Sequence, residues 1–155
     1  MKILSGMFAA AVVVLAAAAL VFTGKYNMRV MKYAASCGYD EERTIDLINQ
    51  ERSARGLCPV CGKSHLNNDS CCRAQEASIK FSHTRPDGTP YYTVDEANVY
   101  GEVLADGCSS PEEVVNEWMH SDSHRDIILN PAYRGAGVGT SNSGGRKFWA
   151  VEFGM

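Results

Sequence analysis

Between Ile3 and Phe22 the chain carries twenty consecutive residues without a charge, interrupted only by Ser5 and Gly6. As a helix such a run is about 30 Å long, enough to cross a bilayer. A buried core helix is the alternative, and the run's length and N-terminal position argue against it. With Lys2 in front, the segment fits a secretory signal peptide or an uncleaved signal anchor. Ala17, Ala18 and Ala19 offer the small residues that a signal peptidase reads, whereas Leu20, Val21 and Phe22 prolong the apolar stretch and favour retention. Lys25, Arg29 and Lys32 come after the run, so basic residues flank both ends and leave the orientation open. Ala35-Ser36-Cys37 has the look of a lipoprotein cleavage box, but three basic residues part it from the run and the reading is rejected. The expected organisation is residues 1–24 as signal peptide or membrane anchor, 25–39 as linker and 40–155 as an exported domain. Any membrane contact would be made by residues 3–22, if uncleaved.

At 155 residues the chain holds one domain with a real core and not two. The segment inflates the 45% hydrophobic content, and the remainder of the chain has an ordinary, rather polar composition. A net charge of −3 argues against a nucleic-acid partner, which calls for a basic surface. Cys37, Cys58, Cys61, Cys71, Cys72 and Cys108 all lie beyond the segment. In an exported chain an even count favours disulfides. Neighbouring Cys71 and Cys72 would pair with different partners, since a bond between adjacent residues is strained. The rivals are a structural zinc, because Cys58-Pro59-Val60-Cys61-Gly62 reads as a zinc knuckle that His65 with Cys71 or Cys72 would complete, and free buried thiols.

Local signals place the elements. Asp40 is a candidate N-cap, Glu41 and Glu42 suit a first turn, and Ile45, Ile48 and the stem of Arg52 make one helical face ended at Gly56. A second helix is expected from about Asn68 to Lys80, with Cys71, Ala74, Ser78 and Phe81 on one side. A third opens at Ser110, with Pro111 at its first position and Glu113 completing a capping box. Val114, Val115, Trp118 and Met119 form its apolar face. Ser121-Asp122-Ser123 reads as a break with a new N-cap. Residues 138–140 and 148–153 read as strands joined through a Ser-Gly-Gly turn. Helices interleaved with terminal strands make an α+β sandwich.

Four segments in order give this chain its resemblance to the CAP superfamily (SCP-like) domain of the bacterial secreted type. They are Leu47-Ile48-Asn49-Gln50-Glu51-Arg52 with Gly56-Leu57, then Phe81-Ser82-His83-Thr84-Arg85-Pro86-Asp87-Gly88, then Tyr100-Gly101-Glu102. The last runs from Glu112 through Trp118, Ser121, His124-Arg125 and Asn130-Pro131 to Gly137-Val138-Gly139. The resemblance covers about residues 42–154 and implies a three-layer α-β-α sandwich. It also implies a shallow cleft in which His83, Glu102 and His124 converge. Two imidazoles, one carboxylate and water could hold zinc or another divalent metal, with Glu102 as ligand or base. A histidine–glutamate hydrogen bond that merely holds a loop on a helix is the plainer alternative.

This sequence departs from the family pattern in places. Ser121 stands where many eukaryotic relatives carry a second glutamate, and Glu117, preceding Trp118, is expected to face another way. Val103 replaces an asparagine, and Asp122-Ser123 replaces Pro-Gly. Trp118, Phe148, Trp149 and Phe153 are expected in the core, His120 on the surface, and Arg85 on a carboxylate that anchors its loop. No nucleophile elbow, His-Glu-x-x-His, P-loop or dinucleotide fingerprint occurs. The leading expectation is a protein secreted or anchored to the outer face of the cytoplasmic membrane. It would bind a small ligand, lipid or cell-envelope component at the His83/Glu102/His124 cleft. A metal-dependent hydrolase acting on peptide or cell-envelope material, and a structural envelope protein with no active cleft, are the alternatives.

Overall fold

The computed structural model describes residues 38–155. The signal or anchor segment, the linker up to Cys37 and any bond made by Cys37 lie outside the described residues. No described helix is long and apolar enough to cross a membrane.

The chain forms helix α1 (Gly38–Ser53), a short strand β1 (Cys61–Gly62), helix α2 (Ser64–Ile79) and a 3₁₀ turn (Tyr91–Val94). Strand β2 (Gly101–Asp106), helices α3 (Pro111–His120) and α4 (Asp122–Ile128), and strands β3 (Gly135–Ser143) and β4 (Arg146–Gly154) complete it. The sheet order is β1-β3-β4-β2, with β1 parallel to β3 and the other pairs antiparallel. Strand β2 is therefore an edge.

Alternation along β4 builds two cores, because successive side chains point to opposite faces. Trp149, Val151 and Phe153 join Ile45 and Ile48 of α1, Val114, Val115 and Trp118 of α3 and Ile128 of α4. Phe148 and Ala150 join Leu104 and the Ala74 and Ala77 methyls of α2 on the other face. Three layers result: α2, the sheet, and the α1–α3–α4 group. The four aromatic residues expected inside are buried.

Helix α2 lies unusually close to the sheet. A Cβ added to Gly137 would sit 2.0 Å from the carbonyl carbon of Leu66, and one on Gly139 would sit 2.2 Å from the backbone of Ser70 and Cys71. The missing side chains let the helix backbone rest on the strand backbone. Ser70 then bridges the layers, donating to the Gly137 carbonyl at 2.8 Å and accepting the Glu152 amide at 3.1 Å. Between β3 and β4, Gly144 and Gly145 hold φ of 58° and 77°, the pair of positive values that a two-residue type I′ hairpin requires.

Several expectations shift in register. Helix α1 is described from Gly38, so Asp40 lies in its first turn, where its carboxylate meets Lys147 Nζ at 2.5 Å. Helix α2 starts at Ser64, a turn before the expected Asn68, and buries Leu66, Ser70, Arg73, Ala74 and Ala77. Phe81, expected on its apolar side, lies beyond the helix and is half exposed. Ser110 caps α3 as expected, accepting the Glu113 amide at 3.2 Å. The reciprocal arm differs, because the Glu113 carboxylate takes the amide and hydroxyl of Ser109. Ser121 does break the helix, ending α3 and starting α4.

A cleft at the edge of the sheet

The polar heart of the domain is a charged chain under α2. The Arg73 side chain is wholly buried and every nitrogen of its fork is used. Nε and Nη2 bind Glu102 at 2.6 and 3.2 Å, Nη1 binds Glu76 at 2.5 Å, and Nη2 also reaches the Ser82 carbonyl at 2.8 Å. Glu76 in turn accepts the Arg85 fork, with 2.7 Å to Nη2, which is the carboxylate expected to anchor that loop. One buried arginine thus fastens the whole Ser82–Arg85 loop to the sheet. A buried charge is tolerable only when paired and hydrogen-bonded in this way.

Glu102 receives a further bond from His83, whose Nδ1 lies 2.7 Å from Oε1. A carboxylate only accepts, so this nitrogen carries a proton and donates it to Glu102. Three donors hold the Glu102 carboxyl below the usual carboxylate range against the opposing effect of burial. Directly across the strand pair stands Glu152, fully buried. Neither of its oxygens has a hydrogen-bond partner among the described residues. Burial, then the charge of Glu102, pushes Glu152 well above the ordinary range, so it stays a neutral acid. Asp69, one helical turn before Arg73, has a buried oxygen without a partner and is raised to about 6, mainly by burial.

In front of this chain lies a cavity of about 500 Å³ lined by both expected histidines. The loop Phe81–His83 forms one lip, the end of β2 with the Gly107–Cys108 turn forms the floor, and α3 forms the opposite wall. His124, from the helix begun at Ser121, closes one end; burial, then the charge of His83, holds its imidazole toward the neutral form. The indole of Trp118 donates to the Leu104 carbonyl at 3.0 Å and covers the outer side of the edge strand. Glu117, expected to face elsewhere, lines the same cavity as Trp118, together with Glu113 one turn earlier. These two wall carboxylates escaped the sequence reading, although their i, i+4 spacing on an exposed face was visible.

The three expected site residues are brought together but are not equivalent. His83 and His124 reach the cavity, whereas Glu102 stands behind His83 with its side chain inaccessible and both oxygens occupied. The family resemblance implies a divalent metal, and a catalytic zinc asks for three protein ligands. The imidazoles are two donors facing the cavity, and no group of three or more His, Cys, Asp or Glu side chains able to hold a metal occurs among the described residues. The residues present do not fit a resident zinc ion. The same holds for the knuckle: Cys58, Cys61 and His65 are exposed without a converging fourth donor, while Cys71 and Cys72 sit partly buried on α2. No disulfide links two described residues, and Cys108 is a buried thiol.

Comparison with known proteins agrees with this layout. Residues 45–153 match the family model described as CAP, the cysteine-rich secretory protein family. The uncharacterized protein YkwD of Bacillus subtilis is 34% identical over 120 residues, which are 73% of this chain and 46% of that protein. The chain therefore spans less than half the length of this relative. An outer surface protein of Borrelia burgdorferi superposes with a TM-score of 0.68 at 21% identity, over 77% of this chain and 95% of that one. An extracellular SCP-domain protein of Bacillus anthracis gives a TM-score of 0.66 at 24% identity, over 75% and 40%. At these identities the two structures speak to the fold alone. With the profile spanning most of the sequence and the α-β-α layers in place, the chain belongs to the CAP family of cysteine-rich secretory proteins.

Proposed function

We propose that this protein is an extracytoplasmic binding module whose ligand seats in the cavity between His83 and His124. The observation that carries the reading is the held imidazole. Arg73 fixes Glu102, Glu102 fixes the His83 ring through Nδ1, and the held ring lines a 500 Å³ cavity together with His124. A loop that needed only tethering has its tether already in Arg73 and Arg85. Nothing in the packing requires His83 to stay 54% exposed at the rim. The energetic cost of burying the Arg73–Glu102 pair is understandable where the pair orients a binding group.

Export is inferred from the N-terminal apolar run together with the extracellular or outer-surface descriptions of the two structural neighbours. Anchoring through residues 3–22, where the run is retained, is inferred from the same segment. Binding rather than hydrolysis is favoured because the buried carboxylate is committed to Arg73 and His83 and is not free to act as a base at the cavity. The test is to follow the imidazole resonances of His83 and His124 while the protein is titrated with soluble cell-envelope fragments. Saturable shifts of both, lost in a His83→Ala, His124→Ala double variant, are expected. Fragments that bind the double variant as tightly as the wild type would remove the cavity from the function.

A further inference from the structure

The lining of the cavity also selects its ligand, and this inference rests on the reading just given. Hydrogen-bond acceptors dominate it. Glu113 and Glu117 rise from the α3 wall, Asp106 ends the floor strand, and His83 and His124 add ring nitrogens. No lysine or arginine side chain lines it among the described residues. Side-chain O–H and S–H donors are confined to the hydroxyls of Ser82 and Ser121 and the thiol of Cys108.

Not all of this negative charge is free. Asp106 is paired with Arg146 at 2.6 Å from outside the cavity, and one oxygen of Glu113 is occupied by Ser109. Glu117 is exposed and has no ion pair among the described residues. Beside it the surface turns apolar. Phe81 is 52% exposed at the lip and the partly buried Ala105 lines the cavity with it, whereas Leu104 and Trp118 border it as nearly fully buried side chains.

We infer that the cavity receives a cationic group carried on an apolar stem, the ammonium or guanidinium of a basic residue in an extracytoplasmic peptide. The cation meets Glu117 beside the two imidazoles, and the stem lies on Phe81. A cation over an aromatic face and a carboxylate at the same mouth reinforce each other, whereas an anionic ligand would meet Glu117 as like charge.

The test uses the full chain and four probes: a short blocked peptide containing Phe-Lys, its norleucine and glutamate counterparts, and free cadaverine. Affinity is measured at two salt concentrations, with the His83 and His124 resonances as the reporter of place. The lysine peptide is expected to bind at least about tenfold more tightly than the other two peptides, and to weaken with salt. Glu117→Gln is expected to weaken it about two- to fivefold, the scale of a solvent-exposed ion pair, without changing the melting temperature. Cadaverine binding alone would support the same cation chemistry with a free amine as its source. Equal binding of all three peptides with both histidines responding would overturn the cationic preference and leave the binding module standing. Binding that moves neither histidine and ignores Glu117→Gln would overturn both. Failure of every probe up to millimolar concentration would overturn the cationic preference too.

Discussion

Arg73 shows how a single side chain can decide a site. It is the charged residue that makes the buried carboxylate of Glu102 tolerable while also binding the partly buried Glu76, and it does so from the middle of a helix. Arg73→Ala is expected to cost roughly 3–5 kcal/mol in chemical denaturation, because it strands Glu102 without its cation. Glu152 makes the opposite prediction. Its carboxyl is raised well above the ordinary range in the fold, so the native state binds a proton that the unfolded chain releases at lower pH. The associated stability is complete below the ordinary carboxylate pKa and is lost as pH rises through the folded value. Asp69, raised to about 6, adds a loss of the same sign up to that pH. Denaturation midpoints measured from pH 5 to 9 should fall for the wild type and fall less for Glu152→Gln, which keeps the shape and removes the charge. A midpoint that rises with pH in both proteins would contradict the assignment of Glu152 as a neutral acid.

At the scale of elements, the close seating of α2 is the most demanding feature. Gly137→Ala places a methyl carbon inside the backbone of α2, and the helix must lift. The expected loss is at least about 3 kcal/mol, at the upper end of overpacking effects, with weakened near-UV dichroism as the helix leaves the sheet. Arg52 ties the other layer. It is buried without a carboxylate and gives its protons to the carbonyls of Cys58, Ile128, Asn130 and Tyr133. Lysine cannot reproduce that planar fork, so Arg52→Lys should unfold at clearly lower denaturant, by about 2–4 kcal/mol. The elements with local chemistry were legible in the sequence: the Ser110 start with Pro111, the Ser121 break, the glycine pair of the last hairpin. Helix α2 was less so, because its inward face carries Ser70 and Arg73. Polar residues that point inward to meet other polar residues erase the apolar period on which a sequence reading relies.

For the molecule as a whole, four ordered segments pointed to the fold and to the positions of both histidines. They did not rank the three site residues. Glu102 looked like a ligand because its type and place suit one, and only the three-dimensional position of Arg73, 29 residues earlier, shows it spent on support. Glu152 was invisible for a related reason, since its meaning lies in the cross-strand register with Glu102 and that register joins distant parts of the chain. The thiols offer a global check on the layering. In the native protein Cys58 and Cys61 should alkylate first, and Cys108 only after unfolding, as read by peptide mass mapping. Early labelling of Cys108 would mean that the floor of the cavity opens readily.

The two absent side chains of β3 reach further than the layer they allow. Helix α2 ends at Ile79, and three residues later the chain is already in the loop that carries Ser82 and His83. A rod pressed against a plate and ending at a jaw behaves as a lever: any lift at its middle swings its tip. The proposed site is thus tied to the seating of α2 on the sheet, and Gly137→Ala is expected to weaken a ligand that the added methyl never touches.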